Sequence, residues 1–209
     1  AYAFRSAFEG DGYARFLNSM GMDAFVCEYR VLPNRFPLQL LDARRAMRYV
    51  RANGEKYGIN PNKIGAMGSS AGGHLAAYAS TFTPDEEKPA FSILFYPVIT
   101  GETWESHQDS FAQLLGKSRT IAEQEYYSLH NRVTPTTPPA LILLSDDDAE
   151  VPTLSSILYY NALKYYGIPA SMHIWPNEGH GWAAKPWCTC WDKAKPIIED
   201  WLSIQRKDQ

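Results

Sequence analysis

The sequence has 209 residues, 45% of them hydrophobic and 13% aromatic, enough for one sizeable domain with a full core. A formal net charge of −3, with no basic run outside short helical faces, excludes a nucleic-acid-binding surface. No apolar stretch is long enough to span a membrane, and three cysteines are too few for a disulfide framework.

The first helix is expected over Phe8 to Met20, where Phe8, Tyr13, Phe16, Leu17 and Met20 recur at roughly helical spacing and Gly21 is a plausible stop. Asp23 to Tyr29, with Ala24-Phe25-Val26-Cys27, reads as a strand, and Cys27 as a small core residue. Val31 to Pro37 holds two prolines and must be a loop. Leu38 to Tyr57 is an amphipathic helix closed by Gly58, its arginines Arg44, Arg45, Arg48 and Arg51 on a solvated face rather than an anion site. Lys63 to Met67 is a strand, Ala71 to Thr81 an alanine-rich helix, and Phe91 to Tyr96 another buried strand.

From Thr100 to Pro139 the periodicity weakens, and Trp104, His107, Tyr126, Tyr127 and His130 stand in polar surroundings. A long irregular insertion of this kind suggests a lid or binding segment. Regular elements return at Ala140–Leu144 (strand), Thr153–Tyr166 (helix), Ser171–Trp175 (strand) and Ala194–Ile204 (helix). Alternation of strands and helices implies a single α/β domain with a mostly parallel sheet covered on both faces. Cys188-Thr189-Cys190 reads as two reduced thiols or one bridge, remote from the chemistry, because C-x-C alone is poor support for a metal or redox pair.

Chemistry concentrates at Gly68-Ser69-Ser70-Ala71-Gly72. Gly-x-Ser-x-Gly between a strand and a helix is the spacing of a nucleophile elbow, which lifts a serine into the open on a strained turn. Small residues also gather at purely structural turns, but the flanking strand and helix favour the catalytic reading. In a parallel sheet, active groups gather beyond the carboxyl ends of the strands. Two more candidates sit there: Asp148, in Asp146-Asp147-Asp148 before Val151-Pro152, and His180, in Gly179-His180-Gly181. A solvated acidic loop or a cation site is the plainer reading of the aspartates. Spacing favours Asp148, with Asp147 second. Among the other histidines, His74 is expected to pack within the elbow helix. His107 and His130 fall in the irregular segment and His173 inside a strand, so His180 is the expected base.

The order Ser70, Asp148, His180, with Gly-Ser-Ser-Ala-Gly-Gly-His-Leu-Ala, Asp148-x-x-Val151-Pro152 and Gly179-His180-Gly181, resembles the α/β-hydrolase superfamily. More narrowly, it resembles the esterase branch of acetylesterases and acetyl-xylan-esterase-like proteins, near the hormone-sensitive-lipase-like carboxylesterases. The resemblance implies a serine carboxylesterase acting on short acyl groups, acetyl above all, carried by an alcohol such as a sugar hydroxyl. Such chemistry needs neither metal nor organic cofactor. A peptidase or lactonase on the same fold, and a binding protein that has lost hydrolysis, remain as alternatives.

The resemblance also implies an oxyanion hole formed by the Ala71 N–H and a second donor from Ala1 or upstream residues. Ala1-Tyr2 looks like the end of a glycine-rich turn, so the chain opens as if cut from a longer one, with about three strands upstream. One of those strands would lie between the Val26 and Ile64 segments, and Ala1 would then sit beside Ser70. Tyr2 and Trp182 can both face the scissile ester and make a small aromatic acyl pocket; the alternative for Trp182 is that it packs beneath the His180 loop.

Overall fold

The computed structural model describes residues 2–102 and 106–207. Four strands form one parallel sheet in sequential order: β1 (Ala66–Ser69), β2 (Ser92–Phe95), β3 (Ala140–Ser145) and β4 (Ala170–Trp175). One row of the register runs Gly68, Leu94, Ile142, Met172. β2 and β3 are buried along their whole length, which explains why they read as unbroken apolar runs rather than as alternating patterns.

Eight helices accompany the sheet among the described residues: α1 (Ala7–Ser19), α2 (Leu38–Ala52), α3 (Gly54–Tyr57), α4 (Ala71–Phe82), α5 (Gln108–Leu115), α6 (Ile121–Tyr126), α7 (Thr153–Tyr165) and α8 (Thr189–Lys207). The β1–α4–β2 and β3–α7–β4 crossovers step the same way along the sheet, so right-handed connections put α4 and α7 on one face. α1 and α8 take the other, where Tyr13 stacks on Phe95 with ring centroids 5.1 Å apart and Phe16 meets Trp191 edge-on at 5.2 Å. These contacts belong to the main core, which continues through Ile93, Leu141, Tyr159 and Ile198.

Most elements fall where periodicity puts them, and Gly58 closes α3 in a left-handed conformation at φ 68°. α8 starts five residues before the expected Ala194 and carries Pro196 in its interior. The 100–139 segment is less irregular than expected. It folds into α5, α6 and a single turn of 3₁₀ helix at Leu129–Arg132, with Phe111, Leu114, Leu129 and Val133 buried. Trp104 lies outside the described residues.

One element is corrected. Asp23 to Tyr29 forms no strand, and Phe25 and Val26 are exposed. A strand needs a partner for its backbone groups, and among the described residues no strand pairs with this segment. β1 is likewise a sheet edge. Ala66 N–H and Ser70 N–H donate to Phe91 and Phe95 across to β2, so the intervening Gly65, Met67 and Ser69 turn their backbone groups the other way. They face a groove of about 850 Å³ whose far wall includes Phe25, Val26 and Tyr29 and whose floor includes Met47. The Val26 and Ile64 segments are therefore not paired with each other.

Hydrogen exchange checks this edge. The amides of Gly65, Met67 and Ser69 should exchange orders of magnitude faster than those of Leu94 and Ile142, whose ladders are paired on both sides. Comparable protection in this chain would show the groove to be closed in solution.

Candidate active site

β1 ends at Ser69, and α4 begins at Ala71. The single residue between them, Ser70, has φ 52° and ψ −116°. That is a strained conformation for a residue with a side chain, and it must be held by its surroundings. Gly68 supplies part of the hold, because a Cβ there would lie 2.4 Å from the Gly72 carbonyl oxygen. The second close approach belongs to Gly73, where an added Cβ would sit 3.0 Å from Pro97 Cβ. Gly72 has no such neighbour, its nearest atom being Tyr29 Oη at 3.9 Å. The tight positions of the elbow are thus Gly68 and Gly73.

Because all four strands are parallel, the residues following each gather at one edge. Asp148 comes three residues after β3 and His180 five after β4. His180 Nδ1 and Asp148 Oδ2 are 2.7 Å apart, and the Asp148 side chain is almost wholly buried. The other Asp148 oxygen accepts the N–H groups of Glu150 at 2.9 Å and Val151 at 2.8 Å. A carboxylate fixed on both oxygens can hold an imidazole in one tautomer, leaving Nε2 for a proton transfer. Asp147 has its own task. It is exposed, but it accepts the Gly179 N–H at 2.8 Å and so ties down the loop that carries His180. Asp146 is an exposed loop residue.

Ser70 stands at the same edge, half-buried, and no described side chain hydrogen-bonds to its hydroxyl. Ala71 is the first residue of α4, so its N–H has no partner within the helix. Ala1 lies outside the described residues.

The two residues read as able to face the ester are both buried. Tyr2 is only 1% exposed, and its hydroxyl pairs with His74 Nδ1 at 2.7 Å. Its carbonyl accepts the Leu32 N–H, and its ring packs against Ala71 and Leu114. Tyr2 is thus a prop beneath the elbow helix, not a substrate contact. Trp182 is 2% exposed and wedged edge-on against Phe95, Tyr96 and Trp175 beneath the His180 loop. Tyr2 is thus turned away from the expected acyl pocket, while Trp182, packed beneath the His180 loop as its alternative reading had it, still lines one open pocket with His180.

Tyr96 is the site residue that sequence reasoning missed. It follows β2 directly, with φ 34°, and its ring lies 4.6 Å from that of His180. Its hydroxyl accepts the Ala183 N–H at 3.1 Å and donates to Glu9 Oε1 at 3.5 Å. Burial raises the Glu9 carboxyl above its usual range. The available signal was position, since Tyr96 is the first residue past a strand at the edge where Ser70, Asp148 and His180 lie.

The cysteines are all free, and burial pushes the Cys190 thiol up to about 12. Cys188 is not remote from the site, because it lines a pocket of about 320 Å³ together with His180. Among the described residues no His, Cys, Asp and Glu group of metal-binding size occurs, and no helix is long and apolar enough to cross a membrane.

A BD-FAE family model matches residues 8–163, most of the chain. The chain belongs to the BD-FAE family. The BD-FAE match takes in the elbow and Asp148 and stops before His180. An acetylxylan esterase of Xylanibacter ruminicola is 37% identical over 201 residues, covering 93% of this chain and 41% of that protein. Endo-1,4-beta-xylanase B of Butyrivibrio fibrisolvens is 34% identical, covering 86% and 31%. The chain therefore spans less than half the length of these curated relatives. The crystal structure of an acetyl ester-xyloside bifunctional hydrolase from Caldicellulosiruptor lactoaceticus superposes with a TM-score of 0.88 at 35% identity, covering 97% of this chain and 78% of that one. MGS-M1, an alpha/beta hydrolase enzyme from a deep-sea metagenome library, gives 0.67 at 27% identity, covering 86% and 66%. The architecture of this BD-FAE member is that of the α/β-hydrolase superfamily.

Two measurements follow. If Asp148 is the carboxylate that orients His180 in an esterase, Asp148→Asn should lower ester turnover by about four orders of magnitude. Asp147→Asn keeps an acceptor oxygen for Gly179 and should cost less than tenfold. Equal losses would refute the assignment of Asp148 over Asp147.

His74 sets a pH dependence of stability. Burial drives its pKa from 6.5 down to about 3, so the folded chain keeps it neutral where the unfolded chain protonates it. The unfolded state then binds more protons, and stability must fall as pH drops from about 6.5 towards 3. Urea unfolding between pH 7 and pH 4 should show this decline, smaller by about a kcal/mol or more in His74→Asn. Parallel curves for the two proteins would show that His74 is protonated in the fold.

Proposed function

We propose that this chain carries the catalytic site of a serine esterase that removes acetyl groups from acetylated carbohydrate of the xylan type. The observation that carries the reading is the 2.7 Å His180–Asp148 pair, at the same sheet edge as a serine on a strained strand–helix turn. The acetylxylan esterase relative and the acetyl ester-xyloside hydrolase structure support the substrate class.

Ser70 Oγ attacks the acetyl carbonyl carbon while His180 Nε2 takes its proton, and the electron pair moves onto the carbonyl oxygen. The Ala71 N–H donates to that oxyanion, because a first-turn amide is unpaired and already oriented. Collapse expels the sugar alkoxide, which takes the proton from His180. Water then repeats the sequence on the acetyl-serine and releases acetate. Asp148 holds the ring and stabilises its charged form throughout. Tyr2, pinned to His74 and packed on Ala71 at the start of the elbow helix, supports the reading of Ala1 as the second oxyanion donor.

Two structural readings accompany this one. The 100–139 segment serves as a wall of the site, since Leu114 packs on the same Ala71 as Tyr2 and Phe111 meets His74. The groove along β1 is the seat of a further extended strand between the Val26 and Ile64 segments, the unpaired backbone of Gly65, Met67 and Ser69 being its template.

A fluorophosphonate probe tests the proposal. It should label the chain once, at Ser70, and p-nitrophenyl acetate should be hydrolysed. Ser70→Ala should lose labelling and about four to six orders of magnitude in turnover while keeping its thermal transition. A wild-type chain that neither labels nor hydrolyses would be a binding protein. Retention of more than a tenth of turnover by Ser70→Ala would remove the elbow from the chemistry.

A further inference from the structure

The pocket that contains His180 holds a second feature that the acyl-transfer chemistry does not use. Trp187, in the loop leading into α8, is 65% exposed, whereas Trp182, Trp191 and Trp201 are buried. Its neighbour Phe8, on the first turn of α1, is 50% exposed and meets it edge-on, centroids 5.1 Å apart with the planes at 88°. The two rings come from opposite ends of the chain and brace each other in the open. Exposed aromatic surface of this kind marks a binding site more often than a packing accident.

The surroundings select the ligand. Trp187, Lys185, Glu178 and Thr189 line one open pocket of about 320 Å³ with His180. Glu178 is held in place by Lys193 Nζ at 3.5 Å and lies 3.9 Å from Cys188 Sγ. A flat apolar ring flanked by fixed donors and acceptors matches a pyranose, which has a C–H face and a rim of hydroxyls. A long acyl chain would need an enclosed apolar slot, and this pocket is open and polar-rimmed. Trp is suited to the task because it offers a large rigid face at little conformational cost.

Building on the esterase reading above, we infer that Trp187, braced by Phe8, is a sugar-stacking platform that seats the pyranose ring carrying the ester, or its neighbour in the chain, beside His180. Glu178, Lys185 and Thr189 supply hydrogen bonds to its hydroxyls. The platform would make the site selective for esters on carbohydrate over simple esters of the same acid, by acting on binding rather than on the acyl transfer itself.

The test compares acetylated xylo-oligosaccharide with p-nitrophenyl acetate, which has no sugar, on wild type, Trp187→Ala and Trp187→Phe. Trp187→Ala should raise KM for the oligosaccharide about tenfold, the scale of one aromatic face lost from a contact, with kcat changed less than twofold. Trp187→Phe should recover most of that loss, and p-nitrophenyl acetate kinetics should stay within twofold in both variants. An unchanged oligosaccharide KM, or equal losses on both substrates, would overturn the platform. Calorimetric binding of xylo-oligosaccharide to Ser70→Ala, with and without Trp187→Ala, separates this inference from the esterase reading. Binding that needs Trp187 in a chain whose wild type hydrolyses no ester would keep the platform and discard the esterase. Hydrolysis of acetylated oligosaccharide with no dependence on Trp187 would do the reverse.

Discussion

The site depends on one backbone conformation, that of Ser70. A non-glycine residue at φ 52° and ψ −116° costs on the order of 1–3 kcal/mol, and it persists only if its neighbours permit no alternative. The neighbours do so from three sides. Ser70 N–H is committed to Phe95 on β2, and its carbonyl accepts from both His74 and Val98. Gly68 lets the first turn of α4 close against β1, and Gly73 lets it meet Pro97. Loss of any one contact would let the turn relax, carrying the hydroxyl away from the edge where His180 is waiting. The fold's core exists, in this sense, to maintain a strained residue.

A parallel sheet turns that local constraint into a shared location. Every strand delivers its next residues to the same edge, so four separate loops need only be short to meet there. Ser70, Tyr96, Asp148 and His180 come from the four strands in order. The histidine loop is the longest of these and is the most heavily supported. Asp148 holds its ring, Asp147 its Gly179 amide, Tyr96 its Ala183 amide, and Trp182 fills the space beneath. Support of this density fits the general-base role proposed for His180, because an imidazole out of place transfers its proton poorly.

What was legible in the sequence follows the range of the interactions involved. The strained turn at Ser70 and the pairing of Asp148 with His180 lie at positions marked by local backbone chemistry: glycines, a strand ending, a proline that starts a helix. Helices α1, α2 and α4 were readable from their apolar spacing. The role of Tyr2 was not, because a place near the elbow in sequence says nothing about which way a ring points, and for Trp182 the sequence left both directions open. Both rings turned inward, where burying a large aromatic surface is favourable and Tyr2 finds an imidazole for its hydroxyl. The Asp23–Tyr29 strand failed for a different reason. Its composition suits a strand, but strand structure is a property of a pair, and no described strand is paired with it.

That unpaired segment and the bare edge of β1 are two sides of one feature. The wall at Phe25 and Val26 and the backbone of Gly65, Met67 and Ser69 face each other across a groove, and neither has collapsed onto the other. Collapse is prevented by what lies around them. α1 is anchored over the sheet by Tyr13 and Phe16 against Phe95 and Trp191, and the loop after it is tied to α2 through the Arg30–Asp42 pair at 2.7 Å. The walls are thus fixed independently, and the spacing between them is set by helices rather than by direct contact. This is the groove proposed above as the seat of an extended strand, with the backbone of β1 and the Phe25 and Val26 side chains among its lining. It also adjoins the elbow: Ser69 and Gly72, immediately before and after the Ser70–Ala71 pair, line it. The strand proposed for this groove and the oxyanion donors proposed for the site therefore concern one stretch of structure, on either side of Ser70.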